Sequence, residues 1–282
     1  MPELPEVECL TQAVSNIIMR RKVKSVTFFR KDLRKSIPIL ELKTILLNNT
    51  IESVYRRSKY MIWTTRKGHV LIHLGMTGNL LQIDDEKPMF PHTHAVFTFK
   101  SSNPKNDLHL HFVDPRRFGQ IDSLSGKDIE KHPSISKLGL EPLVETTRLA
   151  DHLFNKSINR KTPIKNFIMN ADIVVGVGNI YASESLFLAK IHPMTHAGEL
   201  DKKTFLRLSR AIQKTLRNAI ALGGTSFRDF KNSNGSPGYF TQKLNVYGRA
   251  EKSCKTCKSK IETEKISGRS TFFCPNCQIK NA

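Results

Sequence analysis

Two groups of residues in this 282-residue chain have types and spacings that suit chemistry. The first is the opening stretch, Met1-Pro2-Glu3-Leu4-Pro5-Glu6-Val7-Glu8. With Met1 removed, the chain starts on a secondary amine with a carboxylate on the next residue. An α-amino group titrates near about pH 8 and a lysine near about 10.4, so a useful fraction of the terminal amine is neutral at neutral pH. A neutral amine attacks electrophilic carbon, as Schiff-base lysines do. A secondary amine goes further. Its adduct with an aldehyde-level carbon is an iminium that stays cationic without a proton, and it draws electrons from the neighbouring C–H bond. Glu3 stands where an acid/base is needed, and Glu6 can support it in positioning and proton handling. The ordinary alternative is that Met-Pro is simply how a chain begins.

The second group is Cys254-x2-Cys257-x16-Cys274-x2-Cys277. Two such pairs bring four thiolates onto facing turns, the donor set of a tetrahedral zinc site. The alternative, two disulfides, fits poorly with a chain that shows no secretory signal. Four cysteines leave no open coordination position, so one structural zinc per chain is expected to fold this module rather than catalyse. Between the pairs, Gly268-Arg269-Ser270-Thr271-Phe272 reads as a hairpin tip, where Arg269 either meets a phosphate or is an ordinary solvated arginine. Cys9 stands apart and reads as a small buried apolar residue.

The charge balance points to a partner. Lysine and arginine exceed aspartate and glutamate by 20, with basic clusters at Arg20-Arg21-Lys22, Arg34-Lys35, Arg56-Arg57 and Arg116-Arg117. That excess favours nucleic acid. An anionic membrane is the alternative, but no stretch has the look of a basic amphipathic anchor. The 39% hydrophobic content is too high for a disordered chain. No apolar run reaches the roughly 18 residues of a membrane span. A cytoplasmic location is therefore expected.

The elements that must position these residues follow from periodicity. Pro5 suits a first helical turn, and Val7, Leu10, Val14 and Ile17 recur at helical spacing. This predicts a helix of about four turns starting at the chain's opening, whose positive end favours carboxylates at Glu3 and Glu6. A strand at 23–29 and a short helix at 39–47 come next. Strands are then predicted at about 51–57, 59–65, 69–74, 78–83, 94–99, 107–113 and 117–123. In the sixth of these, Leu108, Leu110 and Phe112 alternate with His109, His111 and Val113, which predicts burial mainly on one face. Closely spaced short strands imply a β-sandwich with the first helix packed on it. Composition shifts over 124–139 to Ser, Gly, Lys, Asp, Glu and Pro, as in a linker. Helices follow at about 145–157, 162–170, 179–190 and 201–222. The fold class expected is α+β. Residues 1–131 form a β-sandwich domain with flanking helices, 132–140 a linker, 141–248 a helical domain and 249–282 a four-cysteine β-hairpin module.

Several loops remain. Val174-Val175-Gly176-Val177-Gly178-Asn179 allows a tight turn with Asn179 capping the next helix, a place where free N–H groups bind phosphate. Lys165 lies on the preceding helix. Arg56-Arg57-Ser58-Lys59-Tyr60 is a basic hairpin turn. His73-Leu74-Gly75-Met76-Thr77-Gly78 and Asp114-Pro115-Arg116-Arg117-Phe118-Gly119 are two further loops, in which Met76 and Phe118 would ordinarily be core residues. Lys231-Asn232-Ser233-Asn234-Gly235-Ser236-Pro237-Gly238-Tyr239-Phe240 has loop composition.

Taken together, the Pro2-Glu3 start, these loops and the cysteine spacing resemble the formamidopyrimidine-DNA glycosylase and endonuclease VIII superfamily over nearly the whole chain, from Pro2 to Cys277. The resemblance implies a helix–two-turns–helix element around Asn179, with Asn179 contacting phosphate, and a zinc finger at the four cysteines. It implies that Lys59 reaches the active site and that His73 contacts phosphate. Met76, Arg116 and Phe118 would fill the space left by an extruded base. His92, Arg117, Lys165, Tyr239 and Arg269 join the DNA contacts, Arg269 also serving the reaction, and residues 231–240 form a lid over the base. The activity implied is excision of oxidised purines such as 8-oxoguanine and formamidopyrimidines through a Schiff base on Pro2, with strand cleavage by β- and δ-elimination at abasic sites, by a monomer acting on duplex DNA. Two alternatives stay open. One is an endonuclease VIII-like enzyme for oxidised pyrimidines, against which Leu4 and the long lid argue. The other is a non-catalytic zinc-containing DNA-binding protein, against which only Pro2-Glu3 and Lys59 argue.

Overall fold

The computed structural model describes residues 2–83, 89–101, 107–224 and 243–279. By their contacts these residues divide into two compact units. One comprises residues 2–136 with 223–224, the other residues 137–222 with 243–279.

In the first unit, helix α1 spans Leu4–Ile18 with Pro5 in its first turn. Its apolar stripe, Leu4, Val7, Leu10, Val14 and Ile18, is at most 2% exposed, because the 3.6-residue period keeps these positions on one face. The strands are β1 (Val23–Phe28), β2 (Ser53–Arg57), β3 (Tyr60–Thr65), β4 (Gly68–His73), β5 (Asn79–Ile83), β6 (Thr93–Phe99), β7 (Leu108–Val113) and β8 (Gln120–Ser125), with helix α2 at Ile39–Leu46. They make two four-stranded antiparallel sheets, ordered β1-β6-β7-β5 and β2-β3-β4-β8. Helix α1 packs on β2 and β3.

The two sheets share one apolar core. Trp63 of β3 is fully buried, and its ring meets Phe97 of β6 edge-on at 4.9 Å and Phe99 at 6.1 Å. These contacts join one sheet to the other. Strand β7 departs from one-face burial: His111 and Val113 are only 8% and 7% exposed. The reason is its place inside its sheet, between β6 and β5, where neighbouring side chains cover its second face as well. His109 on that face pairs with Thr98 Oγ1 at 3.1 Å. The stretch with linker composition is structured at its centre. A 3₁₀ turn covers Ile129–Lys131, and His132, 4% exposed, lies 3.4 Å from the Asp122 carboxylate of β8.

The second unit holds α3 (Thr146–Ser157), α4 (Ile164–Met169), α5 (Asn179–Leu188), α6 (Lys202–Ala221) and the hairpin β9 (Glu262–Ile266) and β10 (Arg269–Phe273). Helix α6 starts with Asp201 accepting a hydrogen bond from the Thr204 N–H at 2.7 Å, an ordinary side-chain cap. Its buried face, with Phe205, Leu208, Ile212 and Leu216, packs on α3 and α5. The hairpin turns at Ser267 and Gly268, whose φ values are 46° and 77°. Positive φ at both central residues is what a two-residue type I′ turn needs.

The inter-sheet contact gives a stability test. Phe97→Ala is expected to lower unfolding free energy by about 3–5 kcal/mol, the usual result of emptying a buried aromatic site. Urea titration followed by the emission of Trp63, the only tryptophan, would measure it. A loss below about 1 kcal/mol would mean the sheets are not held together here.

Candidate functional site

The start of α1 is closed by two carboxylates. Glu3 is the N-cap and Glu6 the third helical residue, and they form a reciprocal capping box. Glu6 Oε2 accepts from the Glu3 N–H at 2.8 Å, while the Glu3 carboxylate accepts from the Glu6 backbone. The first-turn N–H groups of a helix lack intrahelical partners, so this arrangement satisfies two of them and fixes both side chains. Pro2 is buried, and Glu3 and Glu6 are each 2% exposed. Gly224, at φ 82°, lies so close to Glu6 that a Cβ there would sit 3.2 Å from Oε1. Cys9, one turn on, is half-buried rather than buried. Burial, then the Glu6 and Glu8 carboxylates, push its thiol up to about 11, so it stays protonated and unreactive.

Lys59 sits in the turn between β2 and β3, after Ser58 in the left-handed region at φ 58°. That turn is tied to α1. Arg56 Nε donates to Glu8 Oε2 at 2.7 Å, and Arg56 Nη1 donates to the Ser58 carbonyl at 3.0 Å. The Arg56 side chain is 8% exposed, which shields the pair from solvent. His73, at the end of β4, pairs with Tyr60 across the sheet, their rings 4.9 Å apart. Its Nδ1 accepts the Gly75 N–H at 3.0 Å, so the neutral ring carries its proton on Nε2 as a donor. Burial first, then the positive charges of Lys59 and Arg34, hold its pKa down to about 4. His73 is therefore neutral at pH 7.

The loops after β4 and β7 come together. A Cβ on Gly75, at φ 62°, would lie 2.3 Å from the Phe118 carbonyl carbon, so only glycine permits this approach. Met76 is half-buried and Arg116, Arg117 and His92 are exposed. Phe118 is 44% exposed, which removes it from the core. The Arg116 guanidinium lies 4.9 Å from the centre of the Phe118 ring, a cation–π contact. Arg117 and His92 adopt left-handed φ values of 58° and 63°.

In the second unit, Asn179 is the first residue of α5, and the N-cap is Gly178. Asn179 thus does not cap the helix, because its amide is used elsewhere. Its Nδ2 donates to the Ser270 carbonyl at 2.9 Å, and its Oδ1 accepts from Lys165 Nζ at 2.5 Å. Lys165 is 1% exposed. Its ammonium also donates to Thr271 Oγ1 at 2.6 Å and to the Ser270 carbonyl at 3.3 Å. This lysine is turned toward protein acceptors and joins α4, α5 and the β10 strand. Arg269, next to Ser270, is exposed and lines a cavity of about 230 Å³ with Lys165, Asn166, Asn170 and Ser267. Glu184 of α5 is 2% exposed. It accepts the backbone N–H groups of Asn245, Val246 and Tyr247 at 2.9–3.0 Å, which anchors the segment leading to the cysteines.

The four cysteine sulfurs lie within 4.8 Å of one another. Two of the separations are 3.9 Å (Cys254–Cys277) and 3.4 Å (Cys257–Cys274). Tetrahedral zinc at a Zn–S distance of about 2.3 Å would hold sulfurs roughly 3.8 Å apart. The donor set and its geometry therefore fit zinc, and none of these cysteines forms a disulfide.

Tyr239 and the predicted lid at 231–240 lie outside the described residues. Four residues given no role from sequence stand out here. Arg34 bears on His73 electrostatically, and Glu8 and Glu184 anchor loops. Asp114 lies inside a motif read for its arginines and phenylalanine. It is the one acid of that turn, placed ahead of a proline and two arginines, and that is the signal that could have found it.

Residues 1–121 match the formamidopyrimidine-DNA glycosylase N-terminal domain. Residues 138–231 match the formamidopyrimidine-DNA glycosylase H2TH domain, and residues 252–279 the zinc finger found in FPG and IleRS. The formamidopyrimidine-DNA glycosylase of Ruthia magnifica subsp. Calyptogena magnifica is 43% identical over 278 residues, covering 99% of this chain and 100% of the relative. A Lactococcus lactis FPG variant in complex with a Fapy-dG containing DNA superposes with a TM-score of 0.87 at 30% identity, covering 99% of this chain and 100% of that one. MutM in complex with carbocyclic 8-oxo-G containing DNA gives 0.85 at 31%, with the same coverage. This chain belongs to the formamidopyrimidine-DNA glycosylase family.

Proposed function

We propose that this chain excises oxidised purines from duplex DNA in base-excision repair and then cuts the strand at the abasic site. The observation that carries the mechanism is the buried, reciprocally capped Pro2-Glu3-Glu6 start of α1. It requires Met1 to be removed so that the Pro2 nitrogen is an amine. That nitrogen attacks C1′ of the damaged nucleotide, and the glycosidic bond breaks with its electron pair leaving on the base, which takes up a proton from solvent. The proton shed by the Pro2 nitrogen passes through Glu3 to the sugar ring oxygen. The C1′–O4′ bond then opens, and the iminium forms. The iminium acidifies the C2′ hydrogen. Loss of that proton expels the 3′ phosphate, and a second elimination expels the 5′ phosphate. Glu6 holds the Glu3 backbone and so keeps the dipeptide in place.

The remaining roles divide between contact and support. Lys59, neutral His73 through Nε2–H, Asn179 and Arg269 meet phosphates. His92 and Arg117 add contacts from exposed loops. Met76, Arg116 and Phe118 occupy the space vacated by the flipped nucleotide, whose extrusion costs a few kcal/mol of stacking and pairing. Lys165 supports this surface by holding Asn179 and the Arg269 strand. Zinc at Cys254, Cys257, Cys274 and Cys277 folds the hairpin that presents Arg269. The protein acts as a cytoplasmic monomer. Consistent with that location, no helix among the described residues is long and apolar enough to cross a membrane.

Borohydride trapping on a duplex with one 8-oxoguanine opposite cytosine is expected to give a covalent protein–DNA product that maps to Pro2. Glu3→Gln should slow base release at least about 100-fold, the usual span of general acid–base catalysis. Pro2→Gly keeps an amine and is expected to retain weaker trapping. Excision by Glu3→Gln at the unsubstituted rate would remove Glu3 from the mechanism. A second outcome concerns the metal. Chelation should unfold residues 250–278, lower the melting temperature and weaken duplex binding at least about tenfold, the loss expected of contacts worth 1.4 kcal/mol. Normal binding after chelation, with zinc loss verified by metal analysis, would refute the role given to the hairpin.

A further inference from the structure

Three segments on the first unit, around residues 73–78, 90–94 and 114–119, converge on one residue, Asp114, the first and third through its side chain and the second through its backbone. Asp114 is 0% exposed. Its Oδ1 accepts from the Thr77 hydroxyl at 2.5 Å, and its Oδ2 accepts from the Gly119 N–H at 2.7 Å. Its backbone N–H donates to the His92 carbonyl at 3.1 Å. Its carbonyl accepts from His94 Nε2 at 2.8 Å and from the Arg117 N–H at 3.2 Å. Thr77 completes the set, because its Oγ1 also accepts the Arg116 N–H at 3.2 Å.

Each void-filling side chain is attached to this pair. Met76 immediately precedes Thr77. Arg116 is bonded to Thr77 through its own backbone. Phe118 immediately precedes Gly119, whose N–H is held by Asp114. A Cβ on Gly119 would meet Asp114 Oδ2 at 3.0 Å, so this link leaves no slack. A buried carboxylate is costly unless its oxygens are bonded, and replacement by apolar residues is often as stable. Its use here is therefore better explained by geometry than by stability.

We propose that Asp114 and Thr77 are positioning residues that lock Met76, Arg116 and Phe118 into a single wedge, so that the three enter the base stack together. This rests on the void-filling reading of those three residues. The reacting atoms lie elsewhere, at the start of α1. Disturbing the pair therefore impairs nucleotide extrusion and leaves the chemistry at an already abasic site intact.

The test compares two duplexes, one with 8-oxoguanine and one with a preformed abasic site, under single-turnover conditions. Thr77→Val keeps the shape and removes the hydroxyl. It is expected to slow excision about three- to tenfold, the effect of losing one buried hydrogen bond, and to change abasic cleavage less than about twofold. A 2-aminopurine probe beside the lesion should report slowed extrusion in step with excision, and Thr77→Ser should restore both. Asp114→Asn should show the same selective loss if Thr77→Val proves unstable. Adding Thr77→Val to Met76→Ala should cost little beyond Met76→Ala alone, since residues that act as one unit are not additive. Equal losses on both duplexes, full additivity, or failure of Thr77→Ser to restore extrusion would overturn the proposal. Met76→Ala alone separates the two layers. If it shows no selective loss, the void-filling reading fails. If it does and Thr77→Val does not, only the positioning role fails.

Discussion

A helix leaves its first N–H groups without partners, and in this protein that requirement organises the chain's opening. Glu3 and Glu6 answer it reciprocally, and in doing so both become buried. Each carboxylate faces the N–H donors at the positive end of α1 and is held there by a hydrogen bond from the other residue's backbone. The same geometry fixes Pro2, because the residue before an N-cap has little freedom once the cap is closed. Helix α1 is held in turn by its apolar face against β2 and β3 and by the Glu8–Arg56 ion pair. That pair also braces the Lys59 turn. A cap, a stripe of apolar residues and one ion pair thus hold the start of the chain and the basic hairpin in fixed register.

How much of this was legible in sequence depends on the range of the interaction. Local signals were clear. Pro5 with Val7, Leu10 and Val14 indicated α1. The alternation along the strands indicated the sandwich, and the cysteine spacing indicated a cluster that the fold then assembles. Interactions between distant residues were not legible. Nothing local shows that Lys165 will be buried 106 positions from Thr271, which it reaches at 2.6 Å. Nor does anything local show that Asn179 will give up capping to Gly178. Asn is a good N-cap in general, and the preference is overridden because the amide bonds Ser270 and Lys165 instead. Phe118 is a similar case. A phenylalanine is ordinarily buried, and this one is exposed on a loop whose backbone packs closely on Gly75, beside an arginine.

Buried charges recur at the points where separate segments must agree. Glu184 gathers the chain ahead of the cysteines, Lys165 joins two helices to the hairpin, and Asp114 joins three loops. Each is almost fully buried, and each has several partners in place of water, as a buried charge requires. Such groups are poor sources of net stability because desolvation offsets much of the attraction. They are good sources of definition, since a misplaced loop leaves a charge unsatisfied. The apolar core around Trp63 and Phe97 holds the sheets together, and the polar hubs fix the loops and segments around it.

The exposed residues follow the opposite rule, and the contrast explains the overall charge. Arg116, Arg117 and His92 stand outward on loops, and Arg269 at the start of β10, on backbones set by buried partners. A contact to phosphate carries little geometric information of its own, so the placement has to come from the protein. The +20 charge supplies attraction without direction. Under the roles proposed above, direction comes from Asn179, held by Lys165, and from the Thr77–Asp114 pair beside Met76, Arg116 and Phe118. Neutral His73 fits the same division. Surrounding positive charge and burial keep it unprotonated at pH 7, so it offers an oriented N–H rather than one more positive charge.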